Sequence, residues 1–182
     1  YNITKSGIAR TFQNIRLFKD LTVLDNIRIA MHQNIKYSLP SAFFRSNKYY
    51  NEEERLVKEA EELLDIFNLT DKKNELAKNL PYGEQRHLEI VRAMATKPVL
   101  LLLDEPAAGM NPRETENLTK TIAKIREEFN LTILLIEHDM SLIMKICQRI
   151  YVLDYGTMIA VGSPSEIKNN KRVIEAYLGE DA

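Results

Sequence analysis

The chain has 182 residues, 45% hydrophobic and 28% charged, with a formal net charge of −1. That balance gives no support to general nucleic-acid binding or to a polybasic membrane anchor. Its one cysteine, Cys147, rules out an internal disulfide, and no apolar run approaches the ~20 residues of a bilayer-spanning helix.

The chain opens on Tyr1, without a charged-then-apolar leader, and residues 1–12 read as the middle of a domain. The expectation is a soluble piece of a longer polypeptide. Gly7-Ile8-Ala9-Arg10-Thr11-Phe12-Gln13 is a short strand-like run ending on a polar amide. Residues 23–32 suit a helix, and 36–51, polar and aromatic with Pro40, a loop or short helical insertion. From Glu52 the pattern sharpens: Leu56, Val57, Ala60, Leu63, Leu64 and Phe67 fall on one face of an amphipathic helix. Residues 68–79 connect to a second helix over 83–96, which must end before Pro98.

Val99-Leu100-Leu101-Leu102-Leu103-Asp104-Glu105-Pro106 then reads as a strand buried on both faces of a parallel sheet, stopped by proline. Two carboxylates stand where it must emerge, the end of a strand that borders the ligand crevice in open α/β sheets. They suit an acidic turn, or a site holding a hydrated Mg²⁺ and activating a water beside a nucleotide. Asn111-Pro112-Arg113-Glu114 is a helix start, with Asn as N-cap, Pro at N1 and Glu at N3. Leu118, Ile122, Ile125 and Phe129 form its apolar stripe. Residues 131–136 read as a second buried strand closing on Glu137-His138-Asp139, and 140–148 as another helix. Asp154-Tyr155-Gly156 reads as the turn of a hairpin, and 163–178 as closing helical turns. The alternation of strand and helix predicts an α/β fold with a parallel sheet and a helical subdomain inserted before the sheet resumes.

Four stretches stand in order: Phe12-Gln13, Leu80-Pro81-Tyr82-Gly83-Glu84-Gln85, Leu103-Asp104-Glu105-Pro106 and Ile136-Glu137-His138-Asp139. In that order and spacing the chain resembles the nucleotide-binding subunits of ABC transporters. Residues 80–85 look like the signature motif, Asp104 and Glu105 the Walker B pair, and 108–111 the D-loop. His138 looks like the switch histidine and Gln13 the Q-loop glutamine. Tyr82-Gly83-Glu84-Gln85-Arg86, residues 107–112, Glu137-His138-Asp139-Met140 and the ending Ala176-Tyr177-Leu178-Gly179 are similar to the branched-chain amino-acid importers.

The resemblance implies a P-loop NTPase fold, with residues 1–13 and 96–182 forming a partial catalytic core and 14–95 carrying the Q-loop, helical subdomain and signature. It implies ATP and Mg²⁺, with Asp104 and Gln13 as metal ligands and Glu105 and His138 as catalytic residues. Tyr82, Gly83, Glu84, Gln85 and Asn111 would face nucleotide, the signature serving the nucleotide held by an opposite subunit. Pro81 stands where the family has a small hydroxyl residue, so the load falls on Gly83 and the helix N-terminus. Asn111 stands where the family has Asp, and N-capping suits it equally well.

None of the six glycines (Gly7, Gly83, Gly109, Gly156, Gly162, Gly179) heads the G-x-x-x-x-G-K-[ST] loop that cradles phosphates. In the family that loop lies upstream of the Q-loop. The expectation is that residues 1–182 alone neither hydrolyse ATP nor fold well.

The function implied is the ATPase of an importer for branched-chain or other hydrophobic amino acids, peripheral on the cytoplasmic face of the plasma (inner) membrane. Its partners would be a second ATPase subunit, a paralogue, with two transmembrane permeases and an extracytoplasmic substrate-binding protein, and no nucleic acid. The ATPase of a lipopolysaccharide exporter or urea importer, or a non-catalytic remnant, fits the same motifs.

Overall fold

A computed structural model describes residues 2–178, so Tyr1 and the Gly179 of the C-terminal phrase lie outside the described residues. The chain divides into two compact units, Tyr1–Ile136 and Glu137–Ala182.

The first unit contains a parallel sheet of three strands in the order β1 (Ile8–Arg10), β2 (Leu100–Asp104) and β3 (Thr132–Ile136). Arg10 is in register with Leu102, and Asp104 with Ile136. A short helix, α1 (Asn2–Lys5), precedes β1. Between β1 and β2 come α2 (Val23–Met31), α3 (Leu39–Phe43), α4 (Asn47–Ile66) and α5 (Tyr82–Met94), and α6 (Pro112–Glu128) joins β2 to β3.

Helices α2, α4 and α5 pack on one another. Ile27, Leu56, Leu64, Leu88 and Val91 are buried in this unit, as the helical periodicity requires. Of the stripe predicted on α4, Val57 alone is only half-buried. The helix begins at Asn47, five residues before the first clear periodicity, because Ser46 supplies an extended N-cap backbone and Tyr49 packs its ring 5.1 Å from that of Tyr37.

The two strands predicted as fully buried are not. Leu101 and Leu103 of β2 are buried, while Leu100 and Leu102 on the opposite face are half-buried. On β3, Leu134 and Ile136 are 53% and 56% exposed. An apolar run cannot distinguish a central strand from one paired on a single side, which is the position of β3 in this unit. Phe129, predicted in the stripe of α6, is 41% exposed because it is the C-cap, beyond the last regular turn.

The N-terminus of α6 follows the prediction. The Asn111 side chain accepts from the N–H groups of Arg113 and Glu114 at 3.0 Å each, and Glu114 accepts from the N–H of Asn111 at 2.9 Å. This reciprocal pairing is a capping box.

The second unit holds α7 (Met140–Ile146), the antiparallel hairpin of β4 (Ile150–Asp154) and β5 (Thr157–Gly162), α8 (Pro164–Lys168) and α9 (Lys171–Leu178). Tyr155 and Gly156 have φ of 43° and 77°, the left-handed pair that a two-residue hairpin turn requires. Val152, Ile167 and Val173 form its small core. No helix among the described residues is long and apolar enough to cross a membrane.

Candidate functional site

The parallel register carries the end of β1 beside the end of β2, and the residues that follow each strand meet. Arg10 donates from its guanidinium to Asp104 Oδ2 at 2.8 Å, and Gln13 donates from Nε2 to Glu105 Oε2 at 2.8 Å. The Thr11 N–H donates to the Leu102 carbonyl at 2.9 Å, which extends the ladder one residue past β1 and buries Thr11. Glu105 has φ of 43°, a left-handed backbone uncommon outside glycine, and its N–H donates to the Ile136 carbonyl at 2.9 Å. The chain therefore turns sharply as it leaves the sheet. Asp104 lies at the strand end, and Glu105 is held one residue beyond it against Gln13.

Residues 12–18 have no regular secondary structure, yet side chains from α5 and α2 tether their backbone. Arg86 of α5 is fully buried and donates to the carbonyls of Phe12 at 2.6 Å and Gln13 at 2.7 Å, and to Glu89 Oε2 at 2.8 Å. Glu89 accepts in turn from the Arg16 N–H at 3.2 Å. Asn26 of α2, also buried, accepts from the Phe18 N–H and donates to the Phe18 carbonyl, both at 3.0 Å. The Arg16 guanidinium lies 4.4 Å from the centre of the Phe12 ring. A loop that would otherwise need water for its polar groups is thus fastened to the helix that opens with residues 82–85.

That opening is closely packed. A Cβ built on Gly83 would come within 3.1 Å of Glu114 Oε1, and one on Gly109 within 3.2 Å of the Tyr82 ring. Gly109 has φ of 77°, so backbone conformation and crowding both select glycine there. The signature residues and residues 108–114 accordingly form one cluster. Gln85 folds back on its own helix start, donating from Nε2 to the Leu80 carbonyl at 2.8 Å, and Glu84 pairs with Lys72 at 2.5 Å. Tyr82 is 45% exposed, whereas Gly83 is buried. The Asn111 side-chain oxygen is occupied by its capping bonds.

His138 belongs to the second unit. Its ring is exposed, and its Nδ1 lies 3.9 Å from Glu137 Oε2, which accepts from the N–H groups of His138 at 3.0 Å and Asp139 at 3.3 Å. Asp139 N-caps α7. Its hydrogen bonding at Ser141 holds its carboxyl below the ordinary range.

Gln13, Asp104 and Glu105 are therefore brought together in the first unit, and Tyr82, Gly83, Glu84, Gln85 and Asn111 gather in a second cluster there. Sequence reasoning missed Arg10, Thr11 and Arg86. The available signal for Arg86 was its partner Glu89 one turn on, a charged pair amid the buried Leu88, Ile90 and Val91. A cavity of about 830 Å³, lined by Leu63, Met94, Lys97 and Phe129 among others, includes none of the motif residues.

The oxygens at the strand ends are hard donors of the kind Mg²⁺ prefers. Asp104 keeps Oδ1 beside its Arg10 contact, and Gln13 keeps its amide oxygen while Nε2 donates. The arrangement fits a cation that takes few protein ligands and retains water.

Comparison with known proteins places the chain in a family. The family described as ABC transporter matches residues 1–108, and that described as branched-chain amino acid ATP-binding cassette transporter matches residues 157–182. The chain is 48% identical over 178 residues to the high-affinity branched-chain amino acid transport ATP-binding protein LivG of Salmonella typhimurium, covering 98% of this chain and 70% of that one. It is 45% identical over 180 residues to BraF, of the same description, from Pseudomonas aeruginosa, covering 99% and 71%. The lipopolysaccharide export ATP-binding protein LptB of Haemophilus influenzae is 32% identical over 180 residues, covering 99% and 68%. Among solved structures, the ADP conformation of the ATP-binding cassette MJ1267 superposes with a TM-score of 0.78 at 29% identity, covering 98% of this chain and 71% of that one. The chain belongs to the ATP-binding proteins of ABC transporters, and within them to the branched-chain amino acid type.

Proposed function

We propose that this chain is the ATP-binding subunit of an importer that couples ATP hydrolysis to uptake of branched-chain amino acids. The observation that carries the reading is the pair of contacts at the strand ends, with Asp104 and Glu105 held by Arg10 and Gln13, in a chain 45–48% identical to LivG and BraF. Phosphoryl transfer depends mostly on positioning and electrostatics, which such a cluster provides. Asp104 and the amide oxygen of Gln13 would hold Mg²⁺, which when bound would supply charge neutralisation at the phosphates. Glu105 orients the attacking water, and its bond from Gln13 fixes the carboxylate for that task. His138 contacts the γ-phosphate.

Gly83, with Tyr82, Glu84 and Gln85, presents the start of α5 to nucleotide held by an opposing subunit, where helix N–H groups favour anions. Asn111 keeps that surface in shape through its cap. Residues 14–95 work as the helical subdomain, and 1–13 with 96–182 as the core. The 182 residues contain no lysine-bearing phosphate loop, so this peptide by itself does not turn over ATP. The subunit lies on the cytoplasmic face of the inner membrane and works with two permeases, a paralogous ATPase and a binding protein.

The test is ATP-driven uptake of labelled leucine, isoleucine and valine by the full transporter reconstituted in liposomes. Glu105→Gln is expected to abolish hydrolysis and uptake while nucleotide still binds. Undiminished hydrolysis in that variant would remove Glu105 from its role, and ATP-driven movement of lipopolysaccharide in place of amino acids would overturn the cargo.

A further inference from the structure

The near-neutral overall charge conceals a local imbalance. Residues 26–51 contain Arg28, Lys36, Arg45 and Lys48 and no aspartate or glutamate, in a chain with 26 acidic residues. Arg28 is committed to Asp25 and Glu53. Lys36, Arg45 and Lys48 are exposed and form no ion pair among the described residues.

Between them in the sequence stand three strongly exposed apolar side chains. Leu39, Phe43 and Phe44 are 88%, 82% and 77% exposed, more than any other large hydrophobic residue of the first unit. The Phe43 and Phe44 rings meet edge to face at 5.2 Å. The tip is held rather than loose. Arg45 turns the chain with φ of 45°, and the Ser46 N–H closes the turn on the Ser41 carbonyl at 3.1 Å. Beneath it the Tyr37 hydroxyl donates to Glu53 at 2.8 Å and the Lys36 N–H to Glu52 at 3.0 Å.

Three water-exposed apolar side chains on a fixed turn, with Lys36, Arg45 and Lys48 close in sequence and the carboxylates beneath them tied to Arg28, Arg55 and Tyr37, match a negatively charged, apolar-cored surface. We propose that the tip at residues 39–44 inserts into the interface of an anionic phospholipid bilayer, with Lys36, Arg45 and Lys48 on the headgroups. The proposal rests on the reading that the protein works at a membrane, and it assigns the lipid itself, not a permease, as the occupant. Each cation near such a surface contributes roughly a fivefold gain in partitioning at physiological salt, and the aromatic tip converts that attraction into insertion.

The full-length protein, purified without any permease, is mixed with vesicles of phosphatidylcholine alone or with added phosphatidylglycerol. Sedimentation with the anionic vesicles, weakened by salt, is expected. The double variants Phe43→Ser/Phe44→Ser and Arg45→Glu/Lys48→Glu should each lower partitioning about tenfold or more with an unchanged melting temperature. The 182 residues contain no tryptophan, so Phe43→Trp places one reporter in them, whose emission should shift to the blue and be quenched by brominated acyl chains. Absence of vesicle binding, or binding that both double variants retain in full, overturns the proposal. It also falls if only permease-containing membranes retain the wild type and release the variants, which makes the occupant a protein. None of these results touches ATP-driven amino-acid uptake, so failure of the lipid contact and failure of the transport reading are separable.

Discussion

Replacing Arg86 by leucine removes a fully buried guanidinium that serves two loop carbonyls and one carboxylate. The Phe12 and Gln13 carbonyls lose their charged donor, and Glu89, itself 4% exposed, loses its buried ion-pair partner and keeps the Arg16 N–H and the field of Arg92. Breaking a buried ion pair from one side costs ~3–5 kcal/mol, far more than the pair contributes against an apolar replacement. We take about 4 kcal/mol for this site. For a protein of this size each kcal/mol moves the melting temperature by roughly 2–4 °C, so Arg86→Leu should melt ~8–16 °C lower. Thermal denaturation of the full-length protein followed by circular dichroism measures it. The informative variant is Arg86→Leu/Glu89→Gln, which removes the stranded charge and keeps an acceptor for the Arg16 N–H. It should recover about half the loss, roughly 2 kcal/mol relative to the single variant. A single variant that costs under about 1 kcal/mol, or a double variant no better than the single, would refute the clamp.

Three further variants probe the neighbouring cluster. Asn111→Ala should cost ~1 kcal/mol by melting temperature, and Asn111→Ser should restore most of it, since serine caps nearly as well; equal loss in both would argue against the cap. Gly109→Ala puts a Cβ 3.2 Å from the Tyr82 ring at φ of 77°, and should destabilise by about 1–2 kcal/mol despite the lower entropy of the unfolded chain; a neutral result in denaturant titration would mean the loop relaxes. Burial lowers the pKa of His87 below its ordinary 6.5, against the opposing pull of Glu84 and Glu114. Below pH 6.5 the unfolded chain then takes a proton that the folded one refuses, so stability falls with pH by at most ~1.4 kcal/mol per unit. His87→Gln should flatten that slope, and an unchanged slope would locate the titration elsewhere.

The elements that depend on local chemistry were legible in the sequence. Asn111-Pro112-Arg113-Glu114 carries its own N-cap, N1 proline and N3 acceptor, and the structure closes that box. Asp154-Tyr155-Gly156 specified a two-residue turn because glycine accepts the left-handed backbone there. Burial was less legible. Leu134 and Ile136 are as apolar as Leu101 and Leu103, yet they stand on an exposed face, since the number of neighbours a strand acquires is a property of the sheet and not of its residues. The early start of α4 was hidden for a related reason: Tyr49 is held by its ring contact with Tyr37 and not by periodicity.

At the strand ends the acids could be read but their keepers could not. Asp104 and Glu105 follow an apolar run, which is a pattern within eight residues. Arg10 and Gln13 lie more than 90 positions away, and only the register joining Arg10 to Leu102 makes them neighbours. Once that register is fixed, the spacing becomes intelligible. Arg10 is the last residue of β1 and reaches the last residue of β2. Gln13, three residues on and outside the ladder, reaches the first residue after β2, which has turned into a left-handed backbone. Each carboxylate is thus held by a residue at or just beyond the end of the neighbouring strand. Arg86 holds the carbonyl of Gln13, so the helix bearing the signature residues is fastened to the side chain that steadies Glu105. Helix α5 is therefore linked to Glu105 through two short hydrogen bonds and the side chains of Arg86 and Gln13, a connection that no single motif contains.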